Sequence, residues 1–172
     1  MLDQGAQGIM VPQVNSRAEA ERVVAACKYA PEGMRGMATA RGADFGVTKA
    51  FKDIIADVNR EVLVIVQCEN IIGVNALDDI LQVKGIDVVY IGPSDLSQSL
   101  GKPAQYDAPE VVAAIETIIA RCKRAGVTVG IYPGTASEAR RYAAMGVTMQ
   151  GVGDIGFLAD GARAWLRGAK NL

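Results

Sequence analysis

Two carboxylates stand where two apolar segments of the chain end. Glu69 follows the segment VLVIVQC, and Asp95 follows DVVYIGPS. If these segments are neighbouring parallel strands, which lie about 4.8 Å apart, their carboxyl ends bring the two side chains toward one point. Two oxygen ligands without His or Cys suit a hard cation such as Mg²⁺ or Mn²⁺. Acidic residues between a strand and a helix also commonly cap the helix, so metal ligand and helix cap are both open.

The chain contains no histidine. Within these residues this excludes Ser-His-Asp and Cys-His catalysis, His-bound zinc and a His general base. No lysine falls at a predicted strand end, which argues against a Schiff-base aldolase. The cysteines, Cys27, Cys68 and Cys122, are widely spaced, so we expect buried side chains and neither a zinc site nor a disulfide framework.

Three further features have both a functional and a structural interpretation. Gly151-Val152-Gly153, before the last predicted helix, fits an anion at a helix N-terminus or a tight turn. Arg35 and Arg41 flank a loop of small residues that could bend over a site and supply cations to a carboxylate, or lie on the solvated surface. Tyr132 ends a predicted strand and faces either a ligand or the core.

Five segments are typical of strands, and three of them are apolar nearly throughout. Continuous apolar strands are typical of parallel sheets buried on both faces. The predicted strands cover residues 8–14, 62–69, 87–92, 127–132 and 147–152.

Helical patterns separate the predicted strands. Ser16 predicts an N-cap with Glu19 at the capping-box position, Thr135 caps a later helix, and Gly126 predicts a helix end. The predicted helices cover residues 17–30, 47–58, 71–83, 108–125, 136–145 and 155–169, with an irregular insert at 31–46.

Alternating strands and helices predict an α/β fold with a parallel sheet, either an open doubly wound sheet or a TIM (β/α)8 barrel. Neither GxGxxG nor a P-loop is present, which argues against a nucleotide-binding open sheet. A complete barrel has eight strands and about 250 residues. We therefore expect residues 1–172 to form a single C-terminal partial barrel domain with about five of the eight strands.

Composition limits the classes of partner. Half of the 172 residues are hydrophobic and 22% are charged, which fits one ordered domain. The net charge is −1 and the basic residues are scattered, so we expect no nucleic-acid partner. No apolar run is long enough to cross a membrane and the N-terminus has no signal-peptide pattern. We therefore expect a cytoplasmic location and no membrane partner.

Five segments together resemble a known enzyme family. They are LDQGAQGIMVPQVNSRAEAERVV, KYAPEGMRG, VIVQCEN, IDVVYIGPSDLSQSLG and GVGD. In this order they resemble the HpcH/HpaI metal-dependent class II pyruvate aldolases, which act on 4-hydroxy-2-oxo acids such as 4-hydroxy-2-oxoheptanedioate. The Q-x-E and G-P-x-D-L-S segments are the specific ones.

The resemblance implies a role for each matching residue. Glu69 and Asp95 correspond to the two protein ligands of a divalent cation, Mg²⁺ or Mn²⁺. Gln67 and Ser94 correspond to positions that contact the 2-oxo acid, Ser94 through its backbone amide, and Asp95 also lies at this substrate site. Asp3 corresponds to a carboxylate that orients the catalytic His. The family also implies a TIM barrel, a homo-oligomer (usually a hexamer) and exchange of the last helix between partners.

The match begins after the family's catalytic His and transition-state Arg, so the N-terminal third of the barrel is expected to be missing from these residues. We therefore expect this chain alone to be a weak aldolase or none. Two alternatives stay open. One is a related enolate-forming lyase or decarboxylase, similar to macrophomate synthase or the citrate lyase β subunit, and the other is a non-catalytic partial barrel that acts in assembly.

Overall fold

A computed structural model describes residues 1–170 and shows five parallel strands in one sheet. Each strand is shorter than its predicted segment, at one end or at both. The strands are β1 (Gly8–Val11), β2 (Leu63–Cys68), β3 (Val88–Ile91), β4 (Thr128–Ile131) and β5 (Met149–Gln150).

The strands lie side by side in chain order, β1 to β5. Doubly wound sheets reverse strand order at a switch point, whereas a (β/α)8 barrel adds each strand beside the previous one. The observed order is therefore that of a barrel, and the open nucleotide-binding sheet is wrong. Equivalent residues pair in register, as in Val11 with Val66 and Val66 with Val89, so all carboxyl ends meet at one edge.

Helices connect the strands, with several changes from the predicted bounds. The second begins four residues later than predicted, the third is split at Ala76, and α5 was not predicted. The helices are α1 (Arg17–Cys27), α2 (Phe51–Glu61), α3 (Ile71–Asn75), α4 (Leu77–Ile80), α5 (Pro93–Ser99), α6 (Pro109–Ala125), α7 (Ala136–Ala144) and α8 (Asp154–Lys170).

The caps explain where α1 and α7 begin. The Ser16 hydroxyl accepts a hydrogen bond from the Glu19 N–H at 3.3 Å, as predicted. The capping box is wrong, however, because the Glu19 carboxylate accepts from the Asn15 N–H at 2.7 Å instead of the Ser16 N–H. Thr135 does form a complete capping box, with Glu138. Gly126 ends α6 in the left-handed conformation, with φ of 71°.

The core lies mainly between the sheet and the helices. Leu77, Ile91, Ile115 and Ile131 are almost completely buried there, and every residue of β3 is buried. A smaller cluster on the other sheet face contains Ile65, Val88 and Tyr90, with Met149 packed against it. Burial on both faces explains why the strand segments are continuously apolar. The three cysteines are buried and free, as predicted.

The insert at 31–46 is irregular, as predicted, except for a 3₁₀ segment at Arg41–Gly46. A second 3₁₀ turn, Leu2–Gln4, precedes β1 and ends at Gly5, whose φ is 98°. Among residues 1–170, no helix is long and apolar enough to cross a membrane.

Candidate active site

Glu69 lies directly after β2 and is almost completely buried, with 3% of its surface exposed. Its Oε1 accepts a hydrogen bond from the backbone N–H of Gln13 at 3.0 Å, and its Oε2 accepts from Gln67 Nε2 at 3.1 Å. The absent side chain of Gly92 leaves room for Oε2, because a Cβ there would overlap it. The carboxylate therefore lies between the carboxyl ends of β1, β2 and β3.

Asp95 reaches the same edge from the first turn of α5, and its side chain is exposed. Burial raises the pKa of the Glu69 carboxyl above its ordinary value, the Gln13 N–H lowers it, and the negative charge of Asp95 raises it further. Asp95 is therefore close enough to Glu69 for its charge to affect the pKa of the Glu69 carboxyl. Two carboxylates near each other favour a bound cation or proton.

Helix capping does not explain either carboxylate. Asn70, not Glu69, caps α3, and its side chain accepts from the Ile72 N–H at 2.9 Å. Gly92 occupies the N-cap position of α5, and the Asp95 side chain makes no capping hydrogen bond. The capping interpretation is therefore wrong for both residues.

The donor set fits a hard divalent cation. Each Glu69 oxygen accepts one hydrogen bond and keeps a lone pair, and Asp95 makes no ion pair within the described chain. Burial raises the pKa of the neighbouring Cys68 thiol to about 12, so it stays protonated and is a poor ligand. No group of three acidic, Cys or His side chains lies together in residues 1–170. A cation held by these two carboxylates would therefore need water or substrate oxygens as its further ligands.

Ser94 and two tyrosines lie on the β3–β4 side of the site. The Ser94 hydroxyl is 3.3 Å from the hydroxyl of Tyr106, a loop residue that no sequence pattern singled out. Tyr132, at the end of β4, is half exposed, which agrees with a ligand-facing position. These three residues line a cavity of about 100 Å³, together with Glu138 and Tyr142.

The two glycines before α8 make room for tyrosines. A Cβ on Gly151 would overlap the hydroxyl of Tyr90, and one on Gly153 would contact that of Tyr132. This packing favours the tight-turn interpretation over the anion cradle.

Asp3 lies in the 3₁₀ turn before β1 and lines the same cavity, of about 730 Å³, as Arg35 and Gln13. Its Oδ1 accepts from Arg35 Nη2 at 2.7 Å. The Arg35 guanidinium is buried and stacks over Tyr29, with its Cζ 4.7 Å from the ring centroid. Arg41 lies beside Gly5. The loop therefore does supply a cation to a carboxylate, that of Asp3, through Arg35, while Arg41 is exposed.

Lys28, the one buried lysine among residues 1–170, lies outside the site. It is 5% exposed, and its Nζ donates to the backbone oxygens of Asn59 at 2.6 Å and Val62 at 2.8 Å. These carbonyls precede β2, at the amino edge of the sheet. Lys28 therefore stabilises the end of α2 and does not reach the carboxyl ends of the strands.

Comparisons with known proteins agree with this geometry. The HpcH/HpaI aldolase/citrate lyase family model matches residues 1–160. A 5-keto-4-deoxy-D-glucarate aldolase from Salmonella paratyphi C is 38% identical over 158 residues, which are 91% of this chain and 60% of the relative. A hydroxypyruvate/pyruvate aldolase from Roseovarius nubinhibens is 39% identical over 169 residues, which are 96% of this chain and 65% of the relative.

A solved HpcH/HpaI aldolase from Desulfitobacterium hafniense superposes with a TM-score of 0.92 at 31% identity, covering 99% of this chain and 66% of the other. The chain therefore spans less than two thirds of the length of these relatives.

Proposed function

The chain belongs to the HpcH/HpaI aldolase/citrate lyase family, and we propose that it serves the divalent-metal-dependent cleavage of 4-hydroxy-2-oxo acids to pyruvate and an aldehyde. The observation that supports this most strongly is the buried Glu69 carboxylate beside Asp95 at the carboxyl ends of neighbouring strands. Barrel enzymes place their catalytic groups at this edge. The aldolase names of the two relatives support the reaction class.

In this proposal Glu69 and Asp95 hold Mg²⁺ or Mn²⁺. The cation, when bound, supplies a Lewis acid for the negative charge that develops on the 2-oxo group as the C3–C4 bond breaks. The Gln13 N–H and the Gln67 amide keep the Glu69 carboxylate in one orientation, so little reorganisation is needed.

Gln67 and Ser94 are proposed to bind the 2-oxo acid. The Gln67 side-chain amide is half-buried next to Glu69 and has a second N–H to donate. Ser94 lies in the first turn of α5, where backbone N–H groups have no partner within the helix. The Ser94 N–H can therefore donate to a substrate carboxylate or oxo group, next to Asp95.

Proton transfer needs a general base, and residues 1–172 contain no histidine to act as one. We propose that Asp3, held by Arg35, orients such a base from outside these residues. A missing base costs roughly 10²–10⁴ in rate and a missing electrostatic stabiliser about 10²–10³. The 172-residue chain alone should therefore bind a cation and pyruvate but turn over slowly.

Titration of the chain with Mn²⁺ and pyruvate, followed by electron paramagnetic resonance, tests this proposal. Wild type should bind both, and Glu69→Gln with Asp95→Asn should lose Mn²⁺ binding. Glu110→Gln is the matched control, because Glu110 is exposed on α6. Equal binding by wild type and the double variant would contradict the metal site. Faster consumption of oxaloacetate than of 4-hydroxy-2-oxo acids would instead favour the related decarboxylase.

A second candidate function is self-assembly. Every residue of α8 is exposed except the half-buried Ala159, including five large apolar side chains, and β1 pairs with β2 alone in the described sheet. Exposed apolar surfaces and open strand edges favour association. We propose that the chain forms a homo-oligomer through α8, as the family resemblance implies.

A further inference from the structure

In the turn after β1, two consecutive backbone N–H groups donate hydrogen bonds to residues at the end of β2. The Gln13 N–H donates to Glu69 Oε1 at 3.0 Å. The next N–H, of Val14, donates to the backbone oxygen of Gln67 at 3.3 Å. A regular strand cannot do this, because its successive N–H groups point to opposite sides.

A left-handed backbone at Gln13 explains the two parallel donors. Its φ is 54°, a conformation that few residues other than glycine adopt. Such conformations persist where the surrounding structure requires them, and they cluster at functional sites. The Gln13 side chain is exposed and makes no hydrogen bond within residues 1–170, so the backbone rather than the side chain accounts for the geometry.

The Gln13 N–H and the Gln67 amide act on different oxygens of one carboxylate. Together they fix its rotation, with Oε2 against Gly92 at the end of β3. Asp95 lies three residues beyond Gly92. Without the Gln13 donor, only the Gln67 amide would restrain this rotation by a hydrogen bond.

We propose that Gln13 is a positioning residue, whose left-handed backbone orients Glu69 so that Oε2 faces a divalent cation shared with Asp95. This inference rests on the proposed metal site. It predicts that position 13 requires a backbone conformation, not a glutamine side chain.

Three variants of position 13 test the inference in the full chain. Gln13→Gly and Gln13→Asn both tolerate a positive φ, whereas Gln13→Val resists it because its side chain is β-branched. The Kd for Mn²⁺ should stay within about twofold of wild type for Gly and Asn and rise about tenfold or more for Val. Thermal unfolding of each variant establishes that it is folded at the titration temperature.

Nuclear magnetic resonance gives a second readout that needs no metal. The amide proton of Gln13 should lie downfield in wild type, because hydrogen bonds to a carboxylate are strong, and should move upfield in Glu69→Ala. An unmoved signal would overturn the inference.

The affinity results separate the inference from the metal site. Equal Mn²⁺ affinity of wild type and Gln13→Val, or equal losses in Gln13→Gly and Gln13→Val, would overturn the inference and leave the metal site in place. No Mn²⁺ binding by wild type would overturn both.

Discussion

Burial of the Glu69 carboxylate should make the fold less stable when this group is charged. Its pKa is raised in the folded chain, mainly by burial, so the folded state binds a proton more readily than the unfolded state. Stability from this group is full below its unfolded pKa and is lost as pH rises through the folded pKa. Groups with such shifted pKa values are common at catalytic and metal sites.

We therefore expect Glu69→Gln to raise the melting temperature of the metal-free chain at neutral pH. A glutamine keeps an acceptor for the Gln13 N–H, and the Gln67 amide can flip to present its oxygen. The gain should disappear in acid, below the usual pKa of glutamate, where wild type is also neutral. Calorimetry at both pH values measures this. A lower melting temperature at neutral pH would mean that the charge stabilises the fold.

In contrast to Glu69, the buried Lys28 side chain stabilises the fold through its hydrogen bonds. Lys28→Met keeps the length of the side chain and removes both hydrogen bonds to the end of α2. Bonds from charged donors are worth about 1.5–3 kcal/mol each, so we expect a loss of about 2 kcal/mol or more in the free energy of unfolding. Lys52→Met, on the exposed surface of α2, is the matched control. Urea denaturation of both variants compares them, and equal stabilities would refute this role.

At the scale of elements, the β3–α5 turn sets the distance between Glu69 and Asp95. Gly92 has φ of −102°, which any residue can adopt. A glycine is therefore needed here only because a Cβ would overlap the Glu69 carboxylate. Gly92→Ala places a methyl group on Glu69 Oε2. We expect the Mn²⁺ affinity to fall about tenfold or more, since overpacking costs about 1–3 kcal/mol.

Gly156→Ala is the control for this variant, because a Cβ at Gly156 has no neighbour within 4 Å. An unchanged Mn²⁺ affinity in Gly92→Ala would mean that Glu69 does not bind through the oxygen that faces β3.

The elements that sequence predicted well are those with continuous burial. The centres of the strands were predictable because a strand buried on both faces appears in the sequence as a continuous run of apolar residues. The start of α2 was not, because Val47 looks helical in sequence but is 81% exposed, so no packing holds it in the helix. Thr135 and Gly126 were predictable because caps depend on one local side chain or backbone angle.

In the candidate site, too, some features could be predicted from the sequence and others could not. The places of Glu69 and Asp95 at one edge of the sheet were predictable, because each follows a strand, and their role as metal ligands stays a prediction. The hydrogen bond from Gln13 to Glu69 was not predictable, because the two residues are 56 positions apart in the chain. It also uses the backbone N–H, which every residue except proline has, so the residue type at position 13 does not indicate it. Tyr106 was missed for a similar reason, since only the fold brings its loop to Ser94.

At the scale of the whole molecule, α8 is the element that lacks a partner. Leu158, Ala162 and Trp165 recur at helical spacing and are all exposed, with Trp165 at 72%. Large apolar side chains clustered on one helix face mark an interaction site. Closed symmetric assembly of identical chains is the commonest way to cover such a face.

We expect the chain to be oligomeric in sedimentation experiments and Trp165→Glu to shift it toward monomer. A charge in the buried centre of an interface is costly, so even one substitution should weaken association. Ala164→Glu introduces the same charge on another face of α8 and should leave the oligomer intact. If both variants sediment as wild type does, α8 is not the interface, and the open edge of β1 becomes the surface to examine. If only Trp165→Glu dissociates and Mn²⁺ binding survives in its monomer, the metal site is complete within one chain.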